Sequence, residues 1–235
     1  MTNEKARLEK MLRDNKISQQ DYEILASALK RKTIFNKIHS TFLLNPFQKI
    51  AGIKALVLGL ITLLLTSFFG VKAQVYYLSS MVTLNATALA KQTISHPFAF
   101  LLYQNVACWF VLATLLMIAA KILQKNKIRI IDFFGTVALA RFPTLIITLY
   151  VMIGRAIAPN LWNIDMSKGF PLHFSASQYL VSIPASIIAI WQAVIYFYAY
   201  KESSGLTGKK LWLSFLGTMV IAECIAQPVT TFFMS

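Results

Sequence analysis

The chain has 235 residues, 57% of them hydrophobic, with a mean hydropathy of +0.59 and a formal charge of +14. Several apolar runs exceed the ~20 residues that cross a hydrocarbon core, which excludes a soluble globular protein. The 23 Lys and Arg gather at the ends of those runs and not on a folded surface, which excludes nucleic acid as the partner and points to membrane orientation.

Residues 3–32 read as a short helical hairpin outside the membrane. Leu8, Met11 and Leu12 give one apolar face and Tyr22, Leu25 and Leu29 another, at helical spacing, with Asp14, Asn15 and Lys16 as the turn. Ser18 and Asp21 have the spacing of a capping box, flanked by Ile17 and Tyr22 as a hydrophobic staple. The segment LEKMLRDNKISQQDYEILASALKRK resembles the SHOCT module, a short helical hairpin. That resemblance implies an element for self-association or for docking a protein partner through residues 3–32. A thirty-residue hairpin has little core of its own, so a solvated tether is the alternative.

A juxtamembrane segment, residues 35–49, follows residues 1–34. Lys30, Arg31, Lys32 and Lys37 precede Phe42, Leu43, Leu44, Pro46 and Phe47, a basic and apolar approach to the bilayer. Each such cation is attracted to anionic lipid by about 1 kcal/mol near the surface. The charged start lacks the form of a signal peptide, so the first apolar run is expected to remain in the protein.

The membrane domain, residues 50–235, is expected to be an all-α bundle of five transmembrane helices at about 50–71, 98–120, 131–153, 179–200 and 212–233. Gly52 and Gly59 in the first span permit close helix approach. Residues 72–97 read as an excursion along the interface, either a helical face of Val75, Leu78, Val82 and Leu89 or extended chain at VYY and MVTL, and Asn85-Ala86-Thr87 forms a glycosylation sequon there. Gln104, Asn105 and Trp109 lie in the second span. The fourth contains Pro184 and Gln192 and ends in Tyr196, Phe197, Tyr198 and Tyr200, the composition of an interfacial belt. The third loop, residues 154–178, reads as irregular.

Outside the spans, ten Lys and Arg fall in residues 1–49, and two, four, two and three in the successive loops. An N-terminus inside places 17 of them on the cytoplasmic side and 4 on the other, so the C-terminus is expected outside.

The third span, IDFFGTVALARFPTLIITLYVMI, carries Asp132, Arg141 and Pro143. An arginine near mid-bilayer costs from about 3 kcal/mol to more than 10 kcal/mol, so it faces other helices and finds a partner. Glu223 in the fifth span lies at matching depth, because Arg141 is the eleventh residue of its span and Glu223 the twelfth of its own. An Arg141–Glu223 ion pair is therefore expected. Asp132 belongs at the membrane boundary and forms no acid dyad with Glu223.

Five closely spaced spans, little sequence after the last, and the run RIIDFFGTVALARFP with Asp132, Gly135, Ala140, Arg141 and Pro143 resemble the bacterial branch of the Yip family, the Ypt/Rab-interacting membrane proteins. The resemblance covers residues 45–235 and implies a five-helix protein of the bacterial inner membrane, without a defined biochemical activity. Eukaryotic members act in vesicle traffic and bind Rab GTPases. The Asp-Leu-x-Gly-Pro motif of those members is absent here, so that role does not carry over.

His39, His96 and His173 are scattered, and no HExxH, CxxC, GxSxG or phosphate-loop pattern occurs. No catalytic residues, metal or cofactor are expected, and Cys108 and Cys224 fall within apolar runs, where a thiol packs as a small hydrophobe. The sequence favours a non-enzymatic scaffold or adaptor that binds other proteins. The alternative is a small transporter or channel: Pro143, Pro184 and Pro228 interrupt three spans, and Gln104, Asn105, Arg141, Gln192, Glu223 and Gln227 can line a polar path for an anionic solute.

Overall fold

A computed structural model describes residues 11–14, 18, 20–23, 25, 43–81, 83–85, 97–124, 128–162 and 176–231. The chain divides into two compact units, Met1–Pro46 and Phe47–Ser235, so the boundary falls slightly before residue 50. In the first unit the capping box is formed. Ser18 Oγ accepts from the Asp21 amide at 3.1 Å, the Asp21 carboxylate accepts from the Ser18 amide at 3.4 Å, and residues 20–23 are helical behind it. Residues 11–13 are helical and Asp14 follows in a turn; the other hairpin residues apart from Leu25, the basic residues Lys30, Arg31, Lys32 and Lys37, and the three histidines lie outside the described residues.

The second unit is a helical membrane bundle. Its helices are α1 (Gly52–Ala73), α2 (Pro97–Leu123), α3 (Ile130–Leu139), α4 (Phe142–Ile157), α5 (Ala176–Ser204) and α6 (Gly208–Thr231). With α3 and α4 counted as one broken helix, five helices are long and apolar enough to cross a membrane. The surface is inside out relative to a soluble protein. Ile53, Val57, Ile61, Leu64 and Phe68 of α1, Ile183, Ile187 and Ile190 of α5, and Leu213, Leu216 and Val220 of α6 are exposed, while Arg141, Gln104, Asn105, Gln192 and Thr148 are buried.

The broken helix is the hub, packing on α1, α2 and α5, while α6 packs mainly on α2. The reason for its intimacy with α1 is side-chain size. The buried face of α1 consists of Ala55, Gly59, Thr62, Leu63, Thr66, Ser67, Gly70 and Ala73, nearly all small, and recurs at helical spacing. A Cβ on Gly59 would lie 2.6 Å from the Leu139 backbone nitrogen, and one on Gly135 would lie 2.8 Å from the Gly52 carbonyl oxygen. The close approach expected for Gly52 and Gly59 is thus made against α3. Several hydroxyls inside the helices are satisfied locally, as when Thr66 and Ser67 donate to the carbonyls of Thr62 and Leu63 at 2.6 and 2.9 Å.

Four expectations change. The third span is not one helix: it stops at Leu139 and restarts at Phe142. Pro143 has no N–H to give, and the Arg141 and Thr144 amides bond three residues back, to Ala138 and Arg141, in place of four. Pro184 and Pro228, in contrast, sit inside continuous helices. The aromatic run of α5 is not an interfacial belt. Tyr196, Phe197, Tyr198 and Tyr200 are all buried, with Phe197 stacked on Trp212 and Tyr200 edge-on to Phe133.

The fourth change is the largest. Of the two readings of this stretch the structure has the extended one, though not as an excursion along the interface. Val75–Tyr77 (β1) and Thr83–Asn85 (β2) pair antiparallel, with Tyr76 opposite Leu84, and the hairpin tip enters the bundle. Gln74, at φ +50°, closes α1 and turns the chain back, its amide bonding Gly70 and Val71 carbonyls, while Arg155 donates to the Ala73 carbonyl at 2.9 Å. Ser80 Oγ reaches the Cys108 carbonyl at 3.3 Å. Cys108 is 11 residues along α2 from Pro97, about 16 Å of helix rise, so the tip reaches the middle of the bundle.

Gly59→Val is expected to lower the unfolding free energy by about 1–3 kcal/mol through this backbone contact. Gly217→Ala, where a Cβ meets nothing within 4 Å, should be neutral or stabilising. Denaturation midpoints of the two purified variants in detergent check both.

Candidate functional site

Arg141 stands at the break between α3 and α4, where the helix path interrupts and the backbone is held by three-residue bonds. Its side chain is 1% exposed. The guanidinium Nη2 donates to Asn105 Oδ1 at 2.8 Å, Asn105 Nδ2 donates to Ser67 Oγ at 3.0 Å, and Ser67 Oγ donates to the Leu63 carbonyl. This relay runs from the break between α3 and α4 through α2 to α1 with every donor pointing the same way, so each bond polarises the next. Tyr77, Cys108 and Tyr196 surround the guanidinium, with Tyr196 close to it but outside full hydrogen-bonding geometry.

The expected Arg141–Glu223 ion pair does not form. The two charges sense each other, but no hydrogen bond joins them, and the acceptor for Arg141 is the neutral amide of Asn105. The Glu223 carboxylate lies beside Ser79 and the backbone of Ser80 and Met81 at the hairpin tip. Both its oxygens are shielded from solvent and have no partner in hydrogen-bonding geometry among the described residues, and the same holds for Arg141 Nε and Nη1. Equal depth along two helices allows a contact, but the rotation of α6 and the inserted tip decide whether it is made.

The side-chain amides serve the inserted segment. Gln192 Nε2 donates to the Ser80 carbonyl at 3.0 Å and to Tyr196 Oη at 3.1 Å, while its Oε1 accepts from Thr144 Oγ1 at 3.0 Å. Gln104 Oε1 accepts from the Tyr77 amide at 3.1 Å, and its Nε2 donates to the Thr230 carbonyl. Thr230 Oγ1 donates to the Leu78 carbonyl at 2.6 Å. Tyr77 is itself fully buried, with its hydroxyl donating to the Thr66 carbonyl at 3.0 Å and lying 2.9 Å from Thr148 Oγ1. Non-helical backbone among apolar helices needs such partners, because water is not there to supply them.

Of the residues expected to form a polar path, Gln104, Asn105, Arg141, Gln192 and Glu223 converge, with Pro143 two residues beyond the break. Two do not join them. Gln227 is exposed on the outside of α6, and Asp132 sits in the first turn of α3, where its carboxylate approaches Arg129 Nε at 3.6 Å and complements the helix dipole. Composition gave no warning of Tyr77, Ser79, Ser80, Thr144, Thr148, Tyr196 and Thr230. One signal was present: VYYLSSM is too apolar for a solvated loop and too short for a span, next to spans that carry glutamines in need of partners.

Among the described residues no three His, Cys, Asp or Glu come together as a metal site. Comparison with protein families, curated proteins and solved structures finds no match to this chain. What the geometry defines is an integral membrane bundle with a closed polar centre, built where a broken helix meets a re-entrant hairpin.

Gln192→Leu removes the donor to the Ser80 carbonyl and the acceptor for Thr144 together. It is expected to destabilise the bundle by about 1–3 kcal/mol and to speed amide hydrogen exchange at residues 78–81 more than elsewhere. Exchange measured by mass spectrometry on wild type and variant checks this.

Proposed function

We propose that the protein is a non-enzymatic carrier or channel that takes a small polar or anionic solute at the polar centre that holds Arg141 and Glu223. One observation supports this reading above a purely structural one: a permanently charged guanidinium is enclosed at a helix break with Nε and Nη1 unpartnered. A side chain kept only for packing would be matched, as Gln104 and Gln192 are. Broken helices and re-entrant segments around buried charges are the means by which carriers hold solutes among apolar helices.

The charge distribution of the loops supports a bacterial inner-membrane location with the N-terminus cytoplasmic. In that orientation the hairpin β1–β2 dips in from the outer side, and α3 begins at the cytoplasmic side. The likeness of RIIDFFGTVALARFP to the bacterial Yip branch fits the same placement, and on this reading Arg141 and Pro143 of that pattern form the solute site.

A second reading, a scaffold or adaptor, is favoured by the capping box at Ser18, which starts a helix in the N-terminal unit with Leu25 42% exposed. On that reading residues 3–32, with a SHOCT-like pattern, dock a protein partner or a second copy, and the basic residues that follow rest on anionic lipid.

Reconstitution in liposomes containing anionic lipid, with a flux panel of small anions and neutral polar solutes, tests the carrier reading. It expects flux of at least one small anion, reduced about tenfold or more in Arg141→Gln. Absence of flux for every solute, together with crosslinks from position 25 to one protein neighbour, would favour the adaptor.

A further inference from the structure

The net charge at the centre of the bundle is set by one residue. Arg141 contributes a fixed positive charge, and the Glu223 carboxylate on α6 is near enough to sense it. The other groups facing the two are Tyr77 of β1, Asn105 and Cys108 of α2, Tyr196 of α5, and Ser79, Ser80 and Met81 of the hairpin tip. None is a second cation or a second carboxylate. With Glu223 ionised the centre is neutral, although the two charges stand apart. With Glu223 protonated the centre holds one positive charge that no residue balances, and the unpartnered Nε and Nη1 of Arg141 remain as donors.

We propose that Glu223 is a proton-operated internal counterion: ionised, it balances Arg141 and excludes anions, and protonated, it cedes that role to one small monovalent anion held by Arg141. One proton from solvent and one anion are then taken up together, and both are released together. This rests on the reading of the centre as a solute site and names the solute class and the coupling ion.

The geometry fits a transient partner better than a permanent pair. Asn105 fixes Nη2 and hence the orientation of the guanidinium, whatever the state of Glu223. Ser79 and the Ser80 and Met81 backbone lie close enough to the carboxylate to favour its ionised form, yet neither oxygen has a partner in full hydrogen-bonding geometry. The relay through Asn105 and Ser67 uses no group of α6 or of the hairpin, so it does not depend on the state of Glu223.

The test uses the full-length chain in lipid nanodiscs, titrated with sodium nitrate at constant ionic strength, with sulfate as a divalent control and calorimetry in two buffers of different ionisation enthalpy. Nitrate affinity is expected to rise about tenfold per unit fall in pH over the range where Glu223 is ionised, with about one proton taken up per anion. Glu223→Gln should bind nitrate with the wild type's acid-side affinity at every pH and without proton uptake, while Arg141→Gln should not bind it. Should Arg141→Gln fail to fold, Glu223→Gln alone carries the test. Nitrate binding that is independent of pH in the wild type, or equally pH-dependent in Glu223→Gln, would overturn the proton coupling and leave a solute site standing. No nitrate binding by either protein at any pH would overturn the proposal, and the flux panel would then decide separately whether the centre carries a different solute.

Discussion

A guanidinium has no neutral form at any pH a cell offers, so Arg141 brings its charge into the bundle and the neighbouring residues are arranged around it. The first consequence is the relay through Asn105 and Ser67, which spreads the charge over α2 and α1 by oriented dipoles in place of a carboxylate. The second is the break itself. A side chain this polar at a helix interruption, two residues before Pro143, lies where the backbone is already departing from regular bonding. Charge and irregular backbone therefore share one polar region, and the rest of the helix surface stays apolar.

The same economy explains the hairpin. A β-turn pushed among apolar helices exposes amides and carbonyls that lipid cannot satisfy. Here each helix that faces the tip lends a group: Gln104 from α2, Gln192 from α5 and Thr230 from α6. Two of the four amides seen in the sequence as a possible solute path, Gln104 and Gln192, are thus committed to holding the hairpin. Arg141 and Glu223 differ from them because Nε and Nη1 of the one and both carboxylate oxygens of the other are buried without a partner in full hydrogen-bonding geometry. That contrast separates the structural part of the polar centre from the part available to a ligand.

Much of this architecture is legible in the sequence. The five apolar runs give the five membrane-crossing helices, Ser18 and Asp21 give the cap, Gly52 and Gly59 give the close approach of α1, and the cost of a buried arginine singles out Arg141. What is not legible depends on three-dimensional rotation and on tertiary context. Three prolines lie in apolar runs, yet only Pro143 coincides with a break, because a proline's effect depends on what the adjoining helices supply. Tyr196 to Tyr200 have the composition of a belt and are buried because Phe133, Trp212 and Phe215 cover them. Depth along a helix is readable from residue counts, but the direction in which Glu223 points is not, and so an ion pair is expected where an amide stands.

The central claim is that Arg141 is held by Asn105 as the first link of a polar relay. A double-mutant cycle of Arg141→Met and Asn105→Leu, read from unfolding free energies in a mild detergent, tests it most directly. The account predicts a coupling of about 1.5–3 kcal/mol between the two positions, as for a buried hydrogen bond to a charged group. Effects that add to within about 0.5 kcal/mol would contradict it.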